Sequence, residues 1–417
     1  MRRTLGGALI LALCGLATTT PALAAEAPLT PLPPEALAGA GPWLARGDLL
    51  VLESGADGAL RQVSLISRVE AAAPTVLEVL AHPEEFPSYI PSMVRCDVTS
   101  RQGHESLVAW ELEIPFKNPS GVNRYLDERP RTIRHYPLSG SIPAGAWRFD
   151  AFPIGDQASL LVLTTYAATR EISWAVSKFL DAWPTFEHGA VAATAIVLFK
   201  AVASRAVEQR TGKPAARPRY LPGRTGLLNP LLAGGSTPGV AGLAPLLARG
   251  TVALVESTPD GGLGQVSLLH RLPGSAQQAR DLVANPGGYP DWIPSVTATQ
   301  VTRTGEGGTE FTQWMELPML KLRTQLRLLR QGERLLLRAV GGDLPSSTTH
   351  WDFLPEDGGK SSLLVLSHVS DPGEIAWFVR KLLQKEPRFA AGLNLATNLV
   401  LIRGLERRLA APQPPSR

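Results

Sequence analysis

The sequence contains little cysteine. Only two cysteines, Cys14 and Cys96, occur in 417 residues. Cys14 lies in an amino-terminal segment that we predict to be removed, so Cys96 would be the only cysteine of the remaining chain. No disulfide bond could then form within that chain, even in an oxidising compartment. This excludes the small secreted scaffolds that depend on several disulfide bonds.

Sequence motifs of catalysis and cofactor binding are also absent. There is no GxSxG, HExxH, P-loop, CxxC pair or dinucleotide-binding glycine pattern. None of the seven histidines stands at metal-ligand spacing from another. We therefore predict no catalytic residue, no metal and no cofactor, which favours a protein that is not an enzyme.

Charge of one sign does not dominate the sequence. The formal net charge of +4 includes Arg2 and Arg3, and this near balance is not typical of proteins that bind nucleic acid. Basic residues do cluster between positions 205 and 224. They indicate either a solvated linker or transient contact with an anionic membrane surface. Beyond the amino terminus we find no apolar stretch long and charge-free enough to span a bilayer.

The amino terminus has the pattern of a secretory signal peptide. Arg2 and Arg3 precede an apolar run from Ala8 to Leu16, and Ala22-Leu23-Ala24 supplies small residues for cleavage. We predict that residues 1–24 are a signal peptide, and that the protein is exported to the periplasm or secreted.

Most of the remaining sequence occurs twice. FPSYIPSM at 86–93 returns as YPDWIPSV at 289–296, an offset of 203 residues. The same offset places Leu44-Ala45-Arg46-Gly47 on Leu247-Ala248-Arg249-Gly250 and Glu53-Ser54 on Glu256-Ser257. A repeat of this length indicates two whole domains rather than stacked modules. We predict domains at 41–209 and 245–410, joined by an exposed Gly/Pro-rich linker at 210–244.

Each copy shows the same order of predicted elements. An alternating strand is followed by short helices, about six further strands separated by turn residues, and a long amphipathic helical segment. This order predicts the α+β class: a curved antiparallel sheet whose inner face is covered by the terminal helix. Pro184 and Pro387 should kink the terminal segment or begin a new helix. A cavity could remain between sheet and helix.

Two stretches carry a resemblance to a known superfamily. VSLISRVEAAAPTVLEVLAHPEEFPSYIPSM at the start of the first copy and DPGEIAWFVRKLLQKEPRFAAGLNLATNLV at the end of the second resemble the START, polyketide-cyclase and coenzyme-Q-binding superfamily (SRPBCC, Bet v 1-like helix-grip). The resemblance covers both copies. It implies two tandem helix-grip domains that bind sterols, phospholipids, quinones or polyketides inside a cavity.

Aromatic residues are the predicted ligand-binding residues. Alternation places Trp147 with Phe149, and Trp351 with Phe353, on one face of a strand. If that face looks toward the terminal helix, these rings line the cavity; otherwise they fill a core. The predicted set is Trp110, Trp147, Phe149, Phe179, Trp183, Phe186, Trp351, Phe353, Trp377 and Phe389.

Arginines recur at equivalent positions in the two copies. Arg124 and Arg327 could anchor the polar group of a ligand, or form ion pairs with neighbouring strands on the solvent side. The aromatic positions themselves differ between the copies, since Trp110 falls on Gln313 and Trp183 on Glu386. We therefore expect cavities of unequal shape, with tight binding in the first copy.

The sequence leads to one preferred function and two alternatives. We predict an exported, non-catalytic protein that binds or transports a lipid or other hydrophobic small molecule. The alternatives are an enzyme of the polyketide cyclase or aromatase kind, and a packed module that binds a partner without a cavity.

Overall fold

A computed structural model describes residues 29–55, 57–113, 118–169, 177, 180–181, 184–215, 218–223, 228–229, 231–232, 239–317 and 320–411. The predicted signal peptide lies outside the described residues, as do Phe179 and Trp183 of the predicted site.

The described part of the first copy contains eight strands and a long terminal helix. Two short helices, α1 (Pro34–Leu37) and α2 (Gly41–Leu44), precede them. The elements that follow are β1 (Asp48–Ser54), β2 (Leu60–Val69), α3 (Ala73–Ala81), β3 (Met93–Gln102), β4 (Glu105–Leu112), β5 (Ser120–Glu128), β6 (Thr132–Gly140), β7 (Gly145–Pro153), β8 (Ser159–Ala167) and α4 (Thr185–Thr211).

The second copy repeats this order. Its elements are α5 (Ala244–Leu247), β9 (Thr251–Ser257), β10 (Leu263–Pro273), α6 (Ala276–Ala284), β11 (Val296–Gly305), β12 (Gly308–Leu317), β13 (Leu320–Gln331), β14 (Arg334–Gly342), β15 (Thr348–Glu356), β16 (Ser361–Val369), α7 (Trp377–Lys385) and α8 (Phe389–Ala410).

The sixteen strands of the described residues belong to one antiparallel sheet. In the first copy the spatial order is β1-β2-β8-β7-β6-β5-β4-β3, and the second copy has the same order from β9 to β11. Each half curves around its own terminal helix, with α4 packed on β2 and α8 packed on β10. This confirms the predicted α+β class and the predicted helix-grip architecture of each copy.

The two half-sheets are joined through β1 and β9. The strands pair antiparallel, with Leu50 opposite Ala253. These positions are equivalent in the repeat, so a pseudo-two-fold axis passes through this pair. Both faces of the join are buried because Leu49 and Val51 face a cluster under α1, α2 and α5, whereas Leu50 faces the core that both copies share. The near-continuous apolar runs of β1 and β9 follow from this double burial.

Cross-copy ion pairs explain why one sequence motif recurs. Arg46 lies 3.0 Å from Glu256, and the equivalent Arg249 lies 2.8 Å from Glu53. Gln62 donates to Glu53 at 2.8 Å, and Gln265 donates to Glu256. These recurring residues therefore hold the copies together.

The terminal helices cross at small residues. Gly189 of α4 contacts Gly392 and Ala396 of α8, and the equivalent Gly392 contacts Gly189 and Ala193. Only glycine permits two helix backbones to approach this closely. Glycine at both positions thus sets the distance between α4 and α8.

The prolines begin new helices, one of the two outcomes predicted for them. Pro184 directly precedes α4, and Pro387 separates α7 from α8. One expectation is wrong: by length and composition α4 could span a bilayer. More than half of its apolar window is instead buried inside the protein, because α4 is the helix that the first half-sheet surrounds.

The repeated proline-aromatic fragments are corners. Each begins within the last turn of a short 3₁₀ helix, Pro83–Ser88 or Pro286–Asp291, that connects α3 to β3 or α6 to β11. Tyr289 donates a hydrogen bond from its hydroxyl to the carbonyl of Val283 at 2.7 Å. The fragment recurs because each copy needs the same turn between helix and strand.

The segment 210–244, predicted to be exposed, is partly docked where it is described. Leu232 is buried in the cluster under α1, α2 and α5. Tyr220 donates from its hydroxyl to Asp371 at 2.8 Å.

Candidate functional site

The first copy encloses a cavity of about 310 Å³ between its half-sheet and α4. Helix α4 contributes mostly aliphatic side chains such as Val191, Ala195 and Leu198, which leave room opposite the rings of the sheet. Three predicted site residues of the first copy, Trp110, Trp147 and Phe149, line this cavity, together with the rings of Phe86 and Tyr125.

A histidine stands in the centre of the aromatic lining. The ring of His135 stacks between Tyr125, at 4.5 Å and 5°, and Trp147, at 4.9 Å and 3°. Burial lowers the pKa of His135 to about 3, so the ring is neutral at physiological pH. The stack is therefore a neutral, planar surface against which an apolar ring can pack.

Hydrogen bonds determine which nitrogen of His135 carries the proton. The indole Nε1 of Trp110 donates to Oδ1 of Asn123 at 2.9 Å, and an indole can only donate. The amide nitrogen of Asn123 therefore faces His135 Nδ1, at 3.3 Å, and donates to it. The proton of the neutral ring must then be on Nε2.

The polar groups of this lining include two that have no hydrogen-bond partner among the described residues and that face the aromatic stack or the sheet. One is Nε2 of His135, whose described hydrogen bonding is to Asn123 alone. The other is Oγ1 of Thr165, which is buried. Buried polar groups are usually paired, so these two groups are available to a ligand.

The second copy completes the first cavity. Phe389, at the start of α8, and Glu386, just before it, line the cavity of the first copy. The equivalent of Phe389 is Phe186, and it lines the cavity of the second copy. Each copy therefore contributes the beginning of its terminal helix to the cavity of the other.

Glu386 is a buried carboxyl group. Its residue is 3% exposed, and burial raises its pKa. The backbone N–H of Arg388 donates to Oε1 at 3.1 Å, and the Arg388 guanidinium lies 3.9 Å from Oε2. These contacts offset part of the desolvation of the carboxyl group.

The second copy encloses a smaller cavity of about 130 Å³. Trp351, a predicted site residue, lines it. Phe353 does not line it but packs in the core beside Trp351, with ring centroids 6.4 Å apart. Trp292 lines this cavity, whereas Tyr89 at the equivalent position of the first copy does not line the first cavity.

Three predicted site residues lie elsewhere. Arg124 pairs with Glu105 at 2.5 Å, and Arg327 pairs with Glu310, so both form the solvent-side ion pairs that were the alternative interpretation. Trp377 is 74% exposed on α7. Trp377 was expected on the terminal helix that the sheet surrounds, but α7 is a separate helix.

Sequence reasoning missed the polar groups of the first cavity. His135 lies directly opposite Trp147 in the register of β6 and β7, but that register is not readable from the sequence. Glu386 could have been noticed in the sequence, because it stands at the position that Trp183 has in the first copy. Among the described residues, no group of histidine, cysteine and carboxylate side chains could hold a metal ion.

Comparisons with known proteins yield fold neighbours. No protein-family model matches the chain, and no curated protein sequence matches it at a significant level. Solved structures do match: the di-domain ARO/CYC protein of the steffimycin biosynthetic pathway is 12% identical, with 83% of this chain and 94% of that chain covered and a TM-score of 0.28.

Single-domain structures match one copy. An aromatase/cyclase from a Streptomyces species is 15% identical over 37% of this chain and 98% of that chain, with a TM-score of 0.30. A START superfamily protein from Mycobacterium smegmatis is 19% identical over 35% of this chain and 96% of that chain, with a TM-score of 0.29. By its own order of elements and sheet topology, the chain has the tandem helix-grip fold that the resemblance to the START and polyketide-cyclase superfamily predicted.

Proposed function

We propose that the protein binds and carries a hydrophobic small molecule or lipid in the cavity of the first copy, without catalysing a reaction. The observation that carries this proposal is the cavity itself, about 310 Å³ of space lined mainly by apolar and aromatic side chains. Such cavities are the usual form of small-molecule sites.

The size and lining of the cavity indicate the size of the ligand. An apolar cavity of about 150 Å³ holds one benzene molecule, so the first cavity has room for roughly two such rings. Burial of an apolar ligand contributes about 0.8 kcal/mol per methylene group. Binding therefore needs no catalytic group, which fits a carrier.

Export is part of the proposal. The predicted signal peptide would direct the protein to the periplasm or the exterior, where a hydrophobic ligand needs a carrier between membranes. The basic residues near the end of α4 could touch an anionic membrane surface transiently, although Arg205 is already paired with Glu85 at 3.3 Å. Fractionation of cells and binding to vesicles that contain phosphatidylglycerol would test these two parts separately.

Mass spectrometry tests the central claim. Native spectra of protein purified from its own host, followed by organic extraction, should show a released hydrophobic molecule. An Ala195→Leu variant, which fills the cavity from α4, should lose it. Ala190→Leu, an exposed position on the same helix, is the matched control and should retain it. Protein that is repeatedly empty and refuses hydrophobic probes would contradict the proposal.

The two alternatives make different predictions. A packed partner-binding module has a filled interior, whereas the first copy contains a cavity of about 310 Å³. A cyclase or aromatase should turn over polyketide substrates and should lose turnover when polar lining residues such as His135 are replaced.

A further inference from the structure

Glu386 is a buried carboxyl group that the second copy places in the cavity of the first. Among the described lining residues, Glu386 is the only one that is an aspartate, glutamate, lysine or arginine. A carboxyl group in an apolar lining is costly unless it has hydrogen-bond partners. Its described partners come from Arg388 alone, a backbone N–H at 3.1 Å and a guanidinium at 3.9 Å.

The neighbourhood of Glu386 selects the kind of group that could bind it. A carboxyl group has more acceptor sites than the two contacts from Arg388 use. A second cation would be repelled by the Arg388 guanidinium beside it. A neutral hydroxyl has no such repulsion and can donate to the free acceptor sites.

The other residues that line the cavity indicate which groups the ligand has besides the hydroxyl. The stack of Tyr125, His135 and Trp147 offers flat surfaces to a ring. His135 Nε2–H offers one donor, which a ligand oxygen could accept. Phe389, from the same part of the second copy as Glu386, adds a further ring to the wall.

We propose that the first cavity is a composite site in which the second copy supplies Glu386 and Phe389, and that Glu386 selects a neutral, ring-containing ligand with a hydroxyl group. This rests on the proposed function, because it assumes that the first cavity binds a hydrophobic molecule. It adds the chemical class of that molecule and the residues that discriminate it. A single copy alone would lack this part of the site.

A pair of probes tests the selection in the full-length protein. The probes 2-naphthol and 2-methoxynaphthalene differ in whether the oxygen can donate a hydrogen bond. Fluorescence titration should show that the wild type prefers 2-naphthol by about tenfold, since a hydrogen bond to a charged group is worth roughly one factor of ten or more. Glu386→Leu should abolish that preference while 2-methoxynaphthalene still binds. Glu386→Gln, which keeps an acceptor oxygen, should restore part of it.

The repeat provides a matched control for Phe389. Phe389→Ala should weaken the binding of both probes several-fold, because Phe389 lines the first cavity. Phe186→Ala, the same change at the equivalent position, should leave both affinities unchanged because Phe186 lines the second cavity. An effect of Phe186→Ala instead of Phe389→Ala would place the probes in the second cavity and overturn the inference.

Failure of the inference and failure of the proposed function are distinguishable. If neither probe binds the wild type, the proposed function and the inference fail together. If both bind and Trp147→Ala weakens them, but the Glu386 and Phe389 variants change nothing, only the composite site is overturned. A crystal structure of the wild type with 2-naphthol gives the same decision even if a variant does not fold: contact between the naphthol oxygen and Glu386 supports the inference, and its absence overturns it.

Discussion

Gly189 of α4 and Gly392 of α8 pack against each other at equivalent positions of the repeat. A Cβ atom on Gly189 would lie 2.4 Å from the Cβ of Ala396, and one on Gly392 would lie 2.2 Å from the Cβ of Ala193. These separations are far inside van der Waals contact. The interface between the terminal helices therefore has no room for one methyl group on either side.

We expect Gly189→Ala to destabilise the protein although alanine favours helices. Overpacking of this kind typically costs about 1–3 kcal/mol. Gly41→Ala is the matched control, because a Cβ at Gly41 meets nothing within 4 Å, and it should be near neutral. Chemical unfolding followed by circular dichroism measures both free energies of unfolding. Equal effects of the two substitutions would contradict the close crossing of α4 and α8.

The two cross-copy ion pairs should contribute unequally to the free energy of unfolding. The side chains of Arg249 and Glu53 are 16% and 6% exposed, whereas that of Arg46 is 31% exposed. Arg249 also donates to the carbonyls of Pro31 and Thr30. Arg249→Met leaves a buried carboxylate without its cation, and we expect a loss of about 3–5 kcal/mol.

Arg46→Met is the symmetric control and should cost less, about 1 kcal/mol, because its pair with Glu256 is more exposed than that of Arg249 with Glu53 and ion pairs weaken with exposure. The two variants are compared by urea unfolding at one pH and salt concentration. A larger loss for Arg46→Met would show that burial does not decide the strength of these pairs.

Stability should fall as the pH decreases below about 6.5, the ordinary pKa of a histidine side chain. Burial lowers the pKa of His135 to about 3, and burial together with the charge of Arg403 lowers that of His188 to about 4. In the unfolded chain both histidines regain their ordinary pKa, so the unfolded chain takes up protons at a pH where the folded protein does not. Stability is then full above about 6.5 and decreases toward the folded pKa, by at most about 1.4 kcal/mol per pH unit for each histidine.

Urea unfolding at pH 7.5, 6, 5 and 4.5 measures the slope of the free energy of unfolding against pH. His135→Phe should make it shallower, because the variant has one fewer group to protonate on unfolding. A slope that is the same in the variant and the wild type would contradict a neutral, buried His135.

Cys96 should be unreactive in the folded protein. It is 4% exposed, and burial raises its pKa to about 12, so almost no thiolate is present at neutral pH. Iodoacetamide should therefore modify Cys96 only after denaturation, as followed by intact mass. Cys96 also lines the first cavity, so a bound ligand should slow any residual modification. Rapid labelling of the native protein would contradict the buried placement.

Alternation and repetition allowed part of the fold and of the site to be predicted. The strands and their antiparallel pairing follow from period-two patterns and turn residues, and the same logic placed Trp147 and Phe149 on one face of a strand; the structure shows that this face lines the cavity. The sequence could not show that Phe186 lines the second cavity and Phe389 the first. A sequence shows that two positions are equivalent, but it does not show which copy's cavity each ring enters.

The join between the copies was hidden for a similar reason. Arg46 and Glu256 are far apart in the sequence, and their recurrence as Arg249 and Glu53 indicated only that the copies are similar. Their contacts depend on the pairing of β1 with β9, a long-range register that no local pattern specifies.

The pairing of β1 with β9 also bears on the origin of the chain. In a two-fold symmetric homodimer, a residue pair that joins the subunits occurs twice, once in each direction. The equivalent residues of the two copies form such repeated pairs. One copy alone would expose β1 as an unpaired edge strand, beside the face of α4 that carries Gly189. An identical copy is complementary to that surface. The present chain thus has the geometry of such a dimer within one polypeptide, in which the linker keeps the two copies at a constant effective concentration and each copy has a cavity of different size.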